Sequence, residues 1–409
     1  MFNAKQITLN NGIKLVTIKK ETELTALHAG IKIGAIYEKL NEKGISHFME
    51  HMLFKGTKTR SNEALNNELE ERAGEYNAYT DSNCTVYSIT SLKSELERDV
   101  GLISDMLQNA VFPEDEIEKE RGVILAEIRS GRDDIEEYSY DKVHEAAFTN
   151  SPLKYNTIGD EQVVKAIDRQ QLLSYYKKYY VPNNCFITIV SPYEHEDVVK
   201  IVEKYFEHWK PVDFTRENVV IEKNIPTIKT SYKKNIEQCT ILYLYTFYDL
   251  SKDDELALKI LNHKFGESSN SILFREIREK RGLAYDIYTD LDLTNDVKTL
   301  IIYTAVGKND IKETMEAIDW CIKGIKDETI KFDENTIDLM KKVLKTAVAF
   351  TIEDATDLGN YVLHQTIDGD DIFQFIKDMD NLENIKDKNM YDVARRVFNN
   401  PTIHILKNQ

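Results

Sequence analysis

The first residues, "QITLNNGIKLVTI", read as two short strands on either side of Asn11-Gly12, a pair suited to a tight hairpin turn. "TALHAGIKIGAIYE" continues as a strand, and "GISHFMEHMLFKGT" then reads as a helical segment with polar groups inside a largely apolar run. A second helix is expected near "SNEALNNELEERAG". Strand "NCTVYSITSL" leads into a helix over "KSELERDVGLISDMLQNAV", where Leu96, Val100, Ile103 and Leu107 recur at the spacing of one buried face. A long helix runs from near Glu114 past Ile128, and "NCFITIVSPYEHEDVVKIVEKYFEHW" closes this half as strand, turn and helix. Meandering strands with helices between them, without regular βαβ alternation, predict an α+β fold with mainly antiparallel sheets.

Residues 210–234, "KPVDFTRENVVIEKNIPTIKTSYKK", break the rhythm with two prolines and mixed charge and read as an extended linker. Beyond it the order of elements returns. "CTILYLYTFY" is a strand and "DELALKILNHKFG" a helix, "VKTLIIYTAVGKNDIKETMEAIDWCIKGI" is strand then helix, and "PTIHIL" closes the chain as "CFITIV" closes the first half. "FDENTIDLMKKVLKTAVAF" mirrors "FPEDEIEKERGVILAEIRS" at an offset of 220, pairing Phe112 with Phe332 and Ile117 with Ile337. Two structurally related domains follow, 1–209 and 235–409. At the same offset Glu120 falls on Met340 and Glu127 on Ala347, and "LKILNHKFG" holds no His-x-x-Glu-His. The second half thus repeats the architecture without these polar groups, which favours a functional reason for them in the first.

The length of 409 residues also suits two domains, and 42% apolar residues suffice for packed cores. A formal charge of −17 argues against nucleic-acid binding, and leaves either a solvated acidic surface or an acidic cavity favouring cationic ligands. No apolar run reaches membrane-spanning length, and the start shows no secretion signal. Cys84, Cys185, Cys239 and Cys321 are scattered without a CxxC pair, as free thiols of a reducing cytoplasm are.

In the apolar run, His47 and His51 lie one helical turn apart, within roughly 40° of each other around the axis. Both imidazoles can therefore reach one point about 2 Å from their ring nitrogens, which suits Zn²⁺. Glu50 lies on the same side, placed to hold a water at the ion without ligating it. A catalytic zinc takes a third protein ligand, and "IEKERGVILAEIRSGRDD" offers Glu118, Glu120, Glu127 and Asp133. Glu120 and Glu127 share a helix face but stand about 10 Å apart along it, so one ion cannot bind both. One is expected as ligand and the other behind the ligands or in the cleft, while Glu118 reads as a solvated glutamate.

His-x-x-Glu-His is the inverted zinc motif of the inverzincins. With "AGEYNAYTDSNCTVY", "IEKERGVILAEI" and "LFREIREKRGLAYDIYT" in order, the chain resembles the pitrilysin and mitochondrial processing peptidase family over nearly its whole length. Its size is similar to the short members, which have two domains per chain and pair as dimers. The resemblance implies a zinc endopeptidase with one Zn²⁺ per chain, held by His47, His51 and Glu127, the last 76 positions after His51. It implies Glu50 as general base and Glu120 as an additional active-site carboxylate. Arg278 and Tyr285 match residues that bind substrate and stabilise the transition state. Asn77 and Ala78 match a strand lining the cleft, where peptide adds as an extended edge strand in a chamber between domains. It further implies a homodimer, each site completed by the second domain of the other chain, with a heterodimer as the alternative assembly. A leader-peptide or precursor protease needing an unlike partner, and a non-catalytic binding subunit, are the competing readings. Two positions depart from the family pattern. Cys84 stands where members often carry an acidic residue, and "KFGESSNS" has one glycine in a loop usually richer in it.

Overall fold

The structure, a computed structural model, describes residues 2–409. Its strands form two sheets. Six strands, β1 (Asn3–Thr8), β2 (Lys14–Lys19), β3 (Leu24–Ile31), β4 (Glu75–Thr80), β5 (Thr85–Leu92) and β6 (Cys185–Ser191), lie in the order β1-β2-β6-β3-β5-β4. Five more, β7 (Thr227–Lys233), β8 (Cys239–Thr246), β9 (Ala284–Asp292), β10 (Thr299–Val306) and β11 (Thr402–Asn408), lie in the order β7-β11-β8-β10-β9. The N-terminal hairpin is present, with Thr8 opposite Lys14 and Gly12 at φ +95° in its turn, a conformation that an L side chain resists.

Removing β1 leaves two sheets of identical topology. The parallel pair β2/β6 answers to β7/β11, and the antiparallel series β6-β3-β5-β4 answers to β11-β8-β10-β9. The offset of 220 holds through the helices, with Glu114–Asp133 matched by Glu334–Glu353, and Ile135–Ala147 by Ala355–Asp368. Both sheets are mainly antiparallel, as the pattern of strands predicts.

The contiguous division at 209 and 235 is corrected. One compact unit takes the chain through Arg129, Asn156–Asn218 and Val348–Gln374. The other takes Ser130–Tyr155, Val219–Ala347 and Phe375–Gln409. In the first unit the Ala355–Asp368 helix packs on β3 and β6, with Gly30 and Gly359 admitting it close to the sheet. A Cβ on Gly30 would lie 2.8 Å from the Ile367 side chain, and one on Gly359 2.7 Å from the His28 ring. In the second unit the Ile135–Ala147 helix packs on β8 and β11, where Ser139 Oγ lies 2.6 Å from Thr240 Oγ1. Each sheet is thus covered by the helix coded in the opposite half, an exchange that no local periodicity encodes. The expected linker is also shorter: residues 209–226 carry no helix or strand, but Thr227–Lys233 is β7, paired in parallel with β11.

Candidate metal centre

The helix Ile45–Leu53 starts where Gly44, at φ +94°, turns the chain, and a Cβ there would meet Ile158 O at 2.5 Å. Its first N–H groups are satisfied from outside the helix. The buried Glu38 carboxylate accepts from Gly44 N (2.9 Å) and Ser46 N (2.8 Å), and burial pushes its pKa up to about 7 against those bonds. Phe48, Met49, Met52 and Leu53 are buried and anchor the helix, so the turn carrying His47, Glu50 and His51 is held firmly.

His47 Nε2 and His51 Nε2 lie 3.9 and 3.7 Å from Glu127 Oε2. One donor atom from each of the three residues falls within 4.8 Å of the others. Burial, then the neighbouring His51, lower the His47 pKa to about 4, so His47 is neutral at pH 7 and forms no ion pair with Glu127. Glu127 Oε2 is buried without a hydrogen-bond partner, as is His47 Nδ1. A buried carboxylate oxygen facing ring nitrogens, with no donor of its own, is the arrangement that a divalent cation would satisfy. The two-nitrogen, one-oxygen set therefore fits a borderline ion such as Zn²⁺.

The structure brings Glu120 to the back of this cluster. His51 Nδ1 donates to Glu120 Oε2 at 2.9 Å, which leaves the Nε2 lone pair facing Glu127. Lys55 Nζ lies 2.7 Å from Glu120 Oε1. Burial alone would raise the Glu120 pKa, but the bonds from Lys55 and His51 outweigh it and the net shift is downward. Lys55, one helical turn after His51, was not singled out by sequence reasoning; that spacing was its signal.

Glu50 stands beside the cluster. Thr80 Oγ1 donates to its Oε2 at 2.6 Å, and burial raises its pKa in spite of that bond. Thr80 ends β4, the strand with Asn77 and Ala78, and it too was missed. Asn77 lies opposite Ser88 and Ala78 opposite Tyr87, so β4 is bonded to β5 on one side and forms the sheet's edge on the other. Glu118 is an exposed partner of Arg121.

Arg278 and Tyr285 belong to the second unit. The Arg278 guanidinium carbon lies 4.9 Å from the Tyr285 ring centre and 4.7 Å from that of Phe274. Arg278 lies on the wide-turned helix Phe274–Lys280. Tyr285 is the second residue of the edge strand β9 and is 75% exposed. Among the described residues, no group of metal-ligating side chains lies in this unit.

Comparison with known proteins adds the family. A protein of Rickettsia bellii (strain RML369-C) named "uncharacterized zinc protease" is 29% identical over 405 residues, covering 95% of this chain and 94% of that relative. The mitochondrial-processing peptidase subunit beta of Caenorhabditis elegans is 26% identical over 410 residues, covering 96% and 86%. The fold is similar to that of a crystallised protease from Helicobacter pylori, with a TM-score of 0.93 at 20% identity and all of both chains covered. Residues 14–161 match the family model described as insulinase (peptidase family M16), and residues 166–344 match the one described as peptidase M16 inactive domain. The two models together take in well over half of the sequence, and the chain belongs to peptidase family M16.

Proposed function

We propose that the chain is a zinc-dependent endopeptidase, with His47, His51 and Glu127 holding one catalytic zinc. The observation that carries this is the unpartnered Glu127 oxygen facing His47 and His51, with Glu50 on the same helical turn. Zinc bound there would supply a Lewis acid that polarises a peptide carbonyl and acidifies water. Glu50 takes a proton from the attacking water and passes it to the leaving amine. Its upward-shifted pKa brings it nearer the working range of a general base. Thr80 holds one Glu50 oxygen and leaves the other for water. Glu120 and Lys55 fix the tautomer and orientation of His51. The free edge of β4 at Asn77 and Ala78 receives extended peptide by main-chain hydrogen bonds, so side-chain selectivity is broad. Arg278 and Tyr285 serve substrate binding, and a homodimer is the assembly that supplies two complete sites.

A non-catalytic subunit is the rival reading, and the description "inactive domain" applies to residues 166–344, which hold neither His47, His51 nor Glu127. Zinc content and cleavage of a quenched peptide by the purified chain separate the two. Bound zinc with turnover supports the peptidase, and a zinc-loaded chain without turnover refutes it. Mass in solution tests the dimer, and a peptide library would define the substrate, including whether it is a leader or precursor.

A further inference from the structure

A second group of ligand atoms lies in the same unit, at the turn joining β4 to β5. Asp81, Cys84 and His364 each bring one donor atom within 4.8 Å of the other two, a limit that the trio of His47, His51 and Glu127 also meets. Asp81 Oδ1 accepts from the N–H groups of Asn83 (2.8 Å) and Cys84 (2.7 Å). That fixes the carboxylate and turns Oδ2 to Cys84 Sγ at 3.4 Å and His364 Nδ1 at 4.0 Å.

The hydrogen bonds behind His364 decide which of its nitrogens is bare. Tyr79 has one hydroxyl proton and donates it to Asn360 Oδ1 at 2.6 Å. Its oxygen therefore accepts from His364 Nε2–H at 2.7 Å, which leaves Nδ1 as the ring nitrogen turned toward Asp81 and Cys84 and able to ligate. In a tetrahedral zinc shell the sulfur, nitrogen and oxygen ligands lie about 3.4–3.6 Å apart, so sub-ångström shifts close this trio on an ion.

We propose that Asp81, Cys84 and His364 form a second metal site, selective for borderline-soft divalent ions such as Zn²⁺ or Cd²⁺, with water completing the shell. On binding, the Cys84 S–H bond breaks, its electron pair goes to the metal and its proton to the buffer. The site is a clip. It ties the Ala355–Asp368 helix to the β4–β5 turn across 285 positions of chain, as counted from Tyr79 to His364. A closure of that length is where a cross-link removes most entropy from the unfolded chain. The same turn begins one residue after Thr80, so the clip also steadies the strand whose hydroxyl holds Glu50. A catalytic thiol is the other use of such a trio, and it does not suit Cys84. The residue is fully buried, and burial together with the Asp81 carboxylate holds its thiol well above the ordinary range.

The test is a Cd²⁺ titration of the metal-free, full-length, reduced chain, read by the ultraviolet thiolate-to-cadmium charge-transfer band. The trio of His47, His51 and Glu127 contains no sulfur and cannot give that band, so the result is independent of the proposed peptidase chemistry. The band is expected to saturate at a single equivalent in His51→Ala and within two equivalents in the native chain, whose other trio also takes up Cd²⁺, and to vanish in Cys84→Ser. His364→Ala, which removes a partly exposed ring, is expected to bind Cd²⁺ about 100-fold more weakly or worse. Cd²⁺ is also expected to raise the melting temperature of His51→Ala, but not that of folded His51→Ala/Cys84→Ser, in which neither trio is intact. No band in the native chain, or a band that survives Cys84→Ser and so belongs to Cys185, Cys239 or Cys321, overturns the proposal. Unchanged affinity in His364→Ala overturns it as well.

Discussion

In the first unit, β3 is followed by the Ile45–Leu53 helix, with His47, Glu50 and His51 on one turn. In the second, β8 is followed by Lys252–Asn262, whose Leu256, Ala257, Leu258, Ile260 and Leu261 are buried in an apolar core. The long helices differ in the same sense. Glu120 and Glu127 of one stand where Met340 and Ala347 stand in the other, and Met340 is buried. Strand order and pairing sense agree between the units, and the long helices Glu114–Asp133 and Glu334–Glu353 are equal in length, so these polar groups are not needed to build the frame. The comparison separates cost from purpose. A buried carboxylate oxygen without a donor is destabilising by about 1–3 kcal/mol, and the second unit avoids it with an aliphatic side chain. The first unit keeps it, which accords with the zinc proposed to bind there.

The comparison breaks most visibly when the first unit is given the second unit's residue. Glu127→Ala is expected to cut peptide hydrolysis by about 10³-fold or more and to leave the chain one zinc equivalent short of the parent by elemental analysis. Glu50→Gln is expected to lose about as much turnover while keeping its metal. Rates should fall on the acid side as Glu50 protonates. Because burial raises its pKa, that limb should lie above the usual carboxylate range in a pH profile of kcat/KM. Native metal content in Glu127→Ala, or retained turnover in metal-loaded Glu50→Gln, would sink the assignment.

A second contrast concerns what the units share. His28 on β3 and His404 on β11 each bury an unpartnered Nδ1, and each pKa is lowered to about 4. Burial is the main cause for both, followed by His364 for the first and Lys142 for the second. Above pH 6.5 both are neutral whether folded or unfolded, and their contribution to stability is fully present. As pH falls toward 4 the unfolded chain takes up protons that the folded chain refuses, so stability drops by up to about 3 kcal/mol per histidine. Urea unfolding at stepped pH is expected to show that slope, and His28→Gln and His404→Gln to flatten it by similar amounts. A slope carried by one histidine alone would mean that the units respond differently to acid.

Glu120→Met, again the second unit's residue, is expected to weaken zinc binding about 10- to 100-fold without abolishing it, measured by competition with a chelating dye. Sequence reasoning placed Glu120 near the metal and limited the ion to one of the two glutamates, because helix rise is a local property. Its bond to His51 Nδ1 and the Lys55 contact depend on how the Glu114–Asp133 helix meets the Ile45–Leu53 helix, which periodicity does not carry. The repeat, the hairpin and the long helices were legible for the same local reason. Thr80 lay inside a quoted motif, yet its bond to Glu50 follows from the turn of β4 toward the helix. The exchange of Ile135–Ala147 and Ala355–Asp368 was not legible at all. Both helices are amphipathic and would suit either sheet, so the choice lies in matched surfaces such as Gly30 and Gly359 in one unit and Ser139 against Thr240 in the other.

That exchange gives the smallest and sharpest test. Asp134 accepts from the N–H groups of Glu136 (2.8 Å) and Glu137 (2.9 Å), and 220 residues later Asp354 accepts from Thr356 (2.8 Å) and Asp357 (2.9 Å). Each caps the helix that covers a sheet, and each loss to alanine is expected to cost about 1 kcal/mol with metal content unchanged. The location of the loss carries the information. If the helices are exchanged, Asp134→Ala speeds amide hydrogen exchange in β8 and β11, although it lies in the first half of the sequence, and Asp354→Ala speeds it in β3 and β6. The reverse pattern, with each cap protecting the sheet of its own half, would restore the contiguous domains expected from sequence. The topology of each sheet would survive that result, but the Ala355–Asp368 helix would no longer lie beside the β4–β5 turn.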